Sequence, residues 1–227
     1  MTQARQRVVL VTGFEPYGGR GRNPSAEIAK ALEGQTIEGH RLVGRTLPVS
    51  YRGLADRLAA LIEEHNPVVV VSLGLWPGEP MIRLERFGLN LADFEIADND
   101  GATLVDEAIE ANGASGLFAT LPLRAIEQAL LAVGIPARLS GTAGTFLCNA
   151  ALYCLMRVIG RSSSAAVGGF IHVPYMPEQV ALMLADTKRE QSLELHQRSD
   201  LASMELSVQV RAVSIAIATT LAEIGRA

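Results

Sequence analysis

With 227 residues, 48% of them hydrophobic and 19% charged, the chain has the length for one full hydrophobic core and the balance of a globular protein, not of a disordered one. A net charge of -4 leaves no basic footprint for nucleic acid or an anionic membrane, so a small neutral or polar ligand is the easier partner to accommodate. The opening MTQARQRVVLVTGFEP has a basic start but only a short apolar run and no small-residue cleavage pattern, and no apolar run approaches the ~20 residues of a membrane span; the expectation is a cytoplasmic protein.

Taken in order, Arg7 to Thr12 is a short branched apolar run that predicts a buried strand ending at Gly13. The loop GFEPYGGRGRNPS follows, carrying Phe14 and Tyr17, and leads into a helix, SAEIAKALEG, that Asn23 or Ser25 can cap and Gly34 can stop. Open α/β sheets bind ligands in such strand-to-helix loops. The GxGxxG spacing of a dinucleotide site is missing, which argues against a nicotinamide cofactor, and no other cofactor is expected. His40 to Val49 predicts a second strand and Tyr51 to His65 a helix. Asn66-Pro67 then breaks into Val68 to Leu75, VVVVSLGL, the most strand-like run and the expected centre of the sheet. This β-α-β-α-β order predicts a three-layer α/β/α fold, one domain over residues 1–227, with a mostly parallel open sheet.

Beyond the turn WPGEP, the segment MIRLERFGLNLADFEI reads as extended and partly alternating, and Asp98-Asn99-Asp100-Gly101 as a turn. Ala102 to Thr120 lacks periodicity and is expected to be a loop with a helix fragment, serving as a lid or a contact surface. Pro122 to Gly134 predicts a helix with Leu121, Ile126, Leu130 and Val133 as its core stripe, and Ile135 to Ser140 a short strand. The small-residue turn Gly141-Thr142-Ala143-Gly144 runs into a helix from Thr145 to Ile159, stopped by Gly160. After the linker RSSS, GGFIHVPY predicts another buried strand, and from about Leu201 a long apolar helix aligns Val210, Val213, Ile217 and Leu221 on one face.

Cys148 stands near the start of its helix, where the dipole and unpaired N–H groups favour a thiolate. Cys154, six residues on, lies about 9 Å further along the axis, beyond disulfide reach, so both cysteines are expected to be free. A thiol nucleophile needs a base that later protonates the leaving group. His40, His65 and His196 have polar or helix-end surroundings and read as surface residues, whereas His172 ends an apolar strand, where sites in such sheets open. A third group that orients the imidazole is then required, and Glu85, Asp93, Glu95 and Asp98 all qualify by position. No CxxC, HxxxH or HExxH pattern points to a metal.

Four collinear segments, VLVTGFEPYGG with NPS, LERFGLN with ADNDG, AGTFLCN, and GGFIHVPYMPEQ, resemble pyroglutamyl peptidase I, the cysteine-type pyrrolidone-carboxylate peptidases, over nearly the whole chain. The resemblance implies a thiol exopeptidase that removes N-terminal 5-oxoproline from peptides, with the triad on Glu85, Cys148 and His172 and the lactam ring held between Phe14 and Tyr17. Such a ring is flat and uncharged, which suits an aromatic slot with a few backbone partners, for which the Gly74-Leu75 turn and Phe146-Leu147 are the candidates. It also implies a homotetramer. Tyr17 stands where phenylalanine is usual, Glu95 and Ala97 where the family often has arginine and proline, and Trp76 where smaller residues are common; Trp76 is expected to wall the pocket or pack at a subunit contact. The other readings are a thiol amidase acting on a different cyclic or blocked amide, suggested by Glu95, and a silent pyroglutamyl-peptide-binding homologue, against which the intact trio argues.

Overall fold

A computed structural model of the chain describes residues 7–162, 165–190 and 201–226; His196 and part of the RSSS linker lie outside the described residues. The main sheet has seven strands in the order β2-β3-β1-β4-β9-β5-β8. These are β1 (Val8–Phe14), β2 (Thr36–Ile37), β3 (His40–Leu47), β4 (Val69–Leu75), β5 (Ile82–Glu85), β8 (Ala137–Ser140) and β9 (Val167–Val173). All pairings are parallel except β2 with β3 and β5 with β9, so the sheet is mostly parallel, as expected. β4 is buried at every residue and sits at the centre, which explains its unbroken apolar run: a strand covered on both faces has no reason to alternate.

Strand periodicity sorts the core into two layers. Val9 and Val11 of β1, Val69, Val71 and Leu73 of β4, Ile82 and Leu84 of β5, and Ile171 and Val173 of β9 pack on α1 (Pro24–Leu32), α3 (Leu123–Ala132) and α6 (Leu206–Ile224). Leu10, Val70 and Phe170 face the other way, onto α2 (Leu54–His65) and α4 (Leu147–Arg161). The remaining helix, α5 (Pro177–Glu190), follows β9.

Several boundaries differ from expectation for local reasons. Gly53 in the left-handed conformation delays α2 to Leu54, and Asn23, with Pro24 at the first helical position, caps α1 by accepting from the Ser25 amide. The extended segment after WPGEP splits at Arg86: β5 joins the main sheet, while β6 (Phe87–Leu89) pairs with β7 (Gly116–Phe118) in a small hairpin-like sheet. Ala102 to Thr120 carries that strand instead of a helix fragment, and is tied down by backbone bonds from Phe94 to Leu104, Ala119 to Arg86 and Thr120 to Gly168. Val133 is not part of the α3 stripe; it follows the last helical turn and is 44% exposed. α4 runs through Gly160 to Arg161.

The 19-residue α6 is long and apolar enough by length and composition to cross a membrane, contrary to the sequence reading. In the fold, Ala212, Val213, Ala216, Ile217 and Leu221 are buried in the core layer shared with α1 and α3, and Gln209 and Thr220 are buried with them, which is the packing of a core helix.

Candidate active site

The alternation that sends Leu84 and Ile171 to one layer sends their neighbours to the other. Arg83 and Glu85 of β5 and His172 of β9 therefore project on the α4 side of the sheet, where Gly74 of β4 also opens. Register completes the arrangement: Gly74, His172 and Arg83 lie in one row across β4, β9 and β5, and Glu85 lies one row away, opposite Phe170. The diagonal between Glu85 and His172 is within reach of two long side chains. His172 Nδ1 is 2.8 Å from Glu85 Oε1, with the histidine 1% and the glutamate 0% exposed.

α4 brings the sulfur to this row. Thr145 and Phe146 stay outside the helix because Thr145 is tied to Asp93, its hydroxyl donating to the Asp93 carbonyl at 2.7 Å and its carbonyl accepting from the Asp93 amide at 3.1 Å. Cys148 is thus the second helical residue. No side chain caps α4, and the amide N–H groups of Leu147, Cys148 and Asn149 have no acceptor among the described residues, which leaves a cluster of donors around the thiol. Gly74 makes the approach feasible: a Cβ there would lie 2.7 Å from Cys148 Sγ and 2.8 Å from the Phe170 ring. Asn149, fully buried, locks the helix to the β6 region by accepting from the Leu89 amide and donating to the Leu89 and Leu91 carbonyls.

A carboxylate can only accept, so the bond to Glu85 places a proton on His172 Nδ1 and leaves Nε2 as the basic nitrogen. The imidazole is flanked by Phe170, with ring centroids 4.9 Å apart, and by Trp76 in an edge contact at 5.0 Å. Burial pushes its pKa below the ordinary value, against the opposing hydrogen bond and charge of Glu85, and the nearby Arg83 charge lowers it further. Burial, with a smaller contribution from Glu85, pushes the Cys148 thiol up to about 12. Two effects therefore oppose each other at the sulfur: the open N–H groups at the start of α4 favour a thiolate, while desolvation favours the neutral thiol and the neutral imidazole.

Cys148 and His172 share a cleft of about 350 Å³ whose walls include Tyr17, Trp76, Asp93, Glu95, Ile96 and Phe146. It narrows into an apolar slot of about 20 Å³ formed by Phe14, Tyr17, Asn23, Val49, Leu75, Phe146, Leu147 and Cys148. Of the six residues proposed from sequence to meet the ligand, five line this slot, and Gly74 lies beneath the sulfur. Tyr17 packs 6.0 Å from Phe146, centroid to centroid, under the guanidinium of Arg20, and its hydroxyl bonds to no described residue; burial raises its pKa to about 12.

The four acids separate clearly. Glu85 alone meets the imidazole; Asp93 and Glu95 line the cleft wall; Asp98 is a brace for the chain, accepting from the amides of Tyr51, Asp100 and Ala102. Trp76 walls the cleft. His65 is more covered than the surface reading held, with its side chain only 10% exposed beside Arg45 and Glu64. Both cysteines are free, and among the described residues no cluster of three His, Cys, Asp or Glu side chains is placed to hold a metal. Sequence reasoning passed over Arg83, whose only signal was a cation alternating with apolar residues in IRLE.

Residues 7–223 match the family model described as pyroglutamyl peptidase. A pyrrolidone-carboxylate peptidase of Cupriavidus pinatubonensis is 41% identical over 217 residues, covering 95% of this chain and 94% of the relative. One from an Enterobacter species is 46% identical over 77% of this chain and 81% of the relative. Among solved structures, pyrrolidone carboxyl peptidase from Thermococcus litoralis superimposes with a TM-score of 0.88 at 36% identity, covering 97% of this chain and 96% of that one. A variant of the Pyrococcus furiosus enzyme gives 0.88 at 35%, covering 96% and 99%.

Proposed function

This chain belongs to the pyroglutamyl peptidase family, and from that premise we propose how its own residues carry the reaction. The protein is a cysteine peptidase that removes N-terminal pyroglutamyl residues. The observation that carries the assignment of roles is the row of side chains facing the start of α4: Cys148 in a cleft with His172, whose Nδ1 is held by buried Glu85.

In the proposed sequence the lactam ring enters from the cleft and spreads the slot between Phe14, Tyr17 and Phe146, which is water-sized when empty, so that it offers flat apolar faces to the rings and amide edges to the backbone near Leu75 and Leu147. A free N-terminal amine would carry charge into that dry slot at a large desolvation cost, which is the basis for selecting the blocked terminus. His172 Nε2 takes the Cys148 proton as the sulfur attacks the pyroglutamyl carbonyl carbon. The electron pair moves to the carbonyl oxygen, which the unpaired N–H groups at the start of α4 receive. Collapse of the tetrahedral species breaks the C–N bond as the imidazolium returns its proton to the departing amine. Water, deprotonated by His172, then cleaves the thioester, releasing pyroglutamate and restoring the thiol. Glu85 keeps Nε2 facing the reaction and stabilises the imidazolium between the two proton transfers.

Hydrolysis of a pyroglutamyl-coumarin amide, run beside prolyl, glutaminyl and unblocked glutamyl controls, tests this reading. Only the pyroglutamyl substrate should be turned over, a thiol alkylator should abolish the turnover, and the acid limb of kcat/KM should have its midpoint below 6.5, since His172 must be neutral to act as base and its pKa is lowered. Turnover of the control amides at comparable rates, or resistance to alkylation, would refute it.

The proposal extends to a cytoplasmic homo-oligomer, a tetramer by family resemblance, acting on peptides without nucleic acid or membrane partners. The reducing compartment suits a catalytic thiol. Phe118, 74% exposed, and Val105, 72% exposed, are apolar surface that a second copy would cover. Sedimentation is expected to give a mass several times the 24.2 kDa of one chain; a single-chain mass at micromolar concentration would contradict this.

A further inference from the structure

We propose that Arg83 is a positioning residue of the active site, a single buried cation that sets at once the orienting carboxylate, the ring against the imidazole and the turn before the nucleophile. Its side chain is 7% exposed. Nε donates to Glu85 Oε1 at 3.1 Å, the same oxygen that accepts from His172. Nη2 donates at 2.7 Å to both Ser140 Oγ and the Thr142 carbonyl, in the turn that leads into α4, and Nη1 donates to Glu79 Oε2 at 3.3 Å. The plane of the guanidinium is taken up by Trp76, whose ring centroid is 3.7 Å from Cζ and whose edge meets His172. Glu79, 4% exposed, is held from outside by Arg138 at 2.7 Å.

This arrangement reaches the reaction through Glu85. Glu85 Oε2 is buried with no hydrogen-bond partner among the described residues, so Oε1 carries all of the carboxylate's compensation, shared between Arg83 and His172. Removing Arg83 would leave that buried charge with His172 as its only direct partner, and the site would then favour an imidazolium at rest, a form unable to accept the thiol proton. The ionisable groups acting on His172 are Glu85 and Arg83 from β5 and Glu79 from the turn after β4, with Arg83 and Glu79 acting in opposite directions; Cys148 from α4 and Tyr17, Arg20, Asp93 and Glu95 from the surrounding loops line the same cleft. A lysine would preserve the charge but not the fork, since an ammonium cannot present coplanar donors to Glu85, Glu79 and Thr142 while stacking on Trp76.

The inference rests on the roles given to Cys148, His172 and Glu85, so Cys148→Ala is run alongside: full turnover in that variant overturns the triad, whereas loss of turnover there together with an unaltered Arg83 series overturns only the present proposal. Turnover of pyroglutamyl-coumarin amide is measured against pH for the wild type, Arg83→Met and Arg83→Lys. In Arg83→Met, kcat should fall about tenfold or more with KM within about twofold, and the acid limb of kcat/KM should move up by about one pH unit. In Arg83→Lys the limb should stay near its wild-type position while kcat still falls, which separates charge from geometry and reads the proposal even where the methionine variant does not fold. A purely structural arginine would lower the melting temperature without moving the limb in Met or kcat in Lys; either wild-type result overturns the proposal.

Discussion

Cys148→Ala is expected to lower kcat for a pyroglutamyl amide by about four orders of magnitude or more, with substrate binding little changed and the fold intact. The reason is that the remaining machinery has nothing to deliver: His172 can activate a water, but the slot and the α4 N–H groups are placed around the sulfur. Cys148 is half-buried and its side chain makes no hydrogen bond that the fold depends on, so alanine removes the nucleophile at small structural cost. Cys154→Ala serves as the control. Cys154 is buried in the core among α2 and α4 side chains, and its loss should cost about 1–2 kcal/mol of stability with kcat retained. Steady-state kinetics on both variants, with denaturant unfolding, separates the two roles; a Cys148→Ala enzyme with wild-type turnover contradicts the assignment.

Glu85→Gln is expected to have the second largest effect, lowering kcat by about three to four orders of magnitude. Arg83 Nε–H and His172 Nδ1 both meet Oε1, so the amide oxygen takes that position and can still accept from both, while its NH₂ group is left in the buried Oε2 position, which has no hydrogen-bond partner among the described residues. The amide oxygen is a weaker acceptor than the carboxylate, and the negative charge that supports the imidazolium is lost. Stability should fall by a few kcal/mol, because Arg83, 7% exposed, loses one of the two carboxylates that balance it. Near-normal kcat in Glu85→Gln, measured on protein shown to be folded, would mean that another acid orients His172. Asp93 and Glu95 line the cleft but make no bond to His172 among the described residues, and Asp98 is committed to three backbone amides.

Where residues carried their own physical signal, the sequence reading survived contact with the structure. The apolar run of β4, the Asn23 cap and the small-residue turn before α4 are local features, and the elements they predict are present within a few residues, although β1 runs through Gly13 to Phe14 instead of ending there. His172 was singled out for ending an apolar strand, which is where it is found. Glu85 was different: four acids shared its position in the chain, and what distinguishes it is the antiparallel pairing of β5 with β9, a contact between residues 87 apart in sequence. Only the family resemblance pointed to it beforehand.

Arg83 was illegible as a functional neighbour for the same reason, and Gly74, singled out in the sequence as a backbone partner for the ligand, gave no sign that it makes room for the sulfur. Each looks ordinary in its own strand, and their meaning comes from sharing a row with His172. The α4 terminus that favours a thiolate was visible in the sequence, but the burial that pushes the Cys148 thiol the other way was not. Ala102 to Thr120 gave no period to read because its order comes from scattered backbone bonds to other segments.

The central claim is that Cys148 becomes acylated by the pyroglutamyl group during turnover. Rapid acid quench of the enzyme mixed with a pyroglutamyl ester, followed by proteolysis and mass spectrometry, tests it directly. The account predicts one pyroglutamyl acyl group on the peptide that contains Cys148 and not on Cys154, accumulating faster than steady-state release and absent from Cys148→Ala. Turnover with no adduct on Cys148, or with the adduct on another residue, would contradict it.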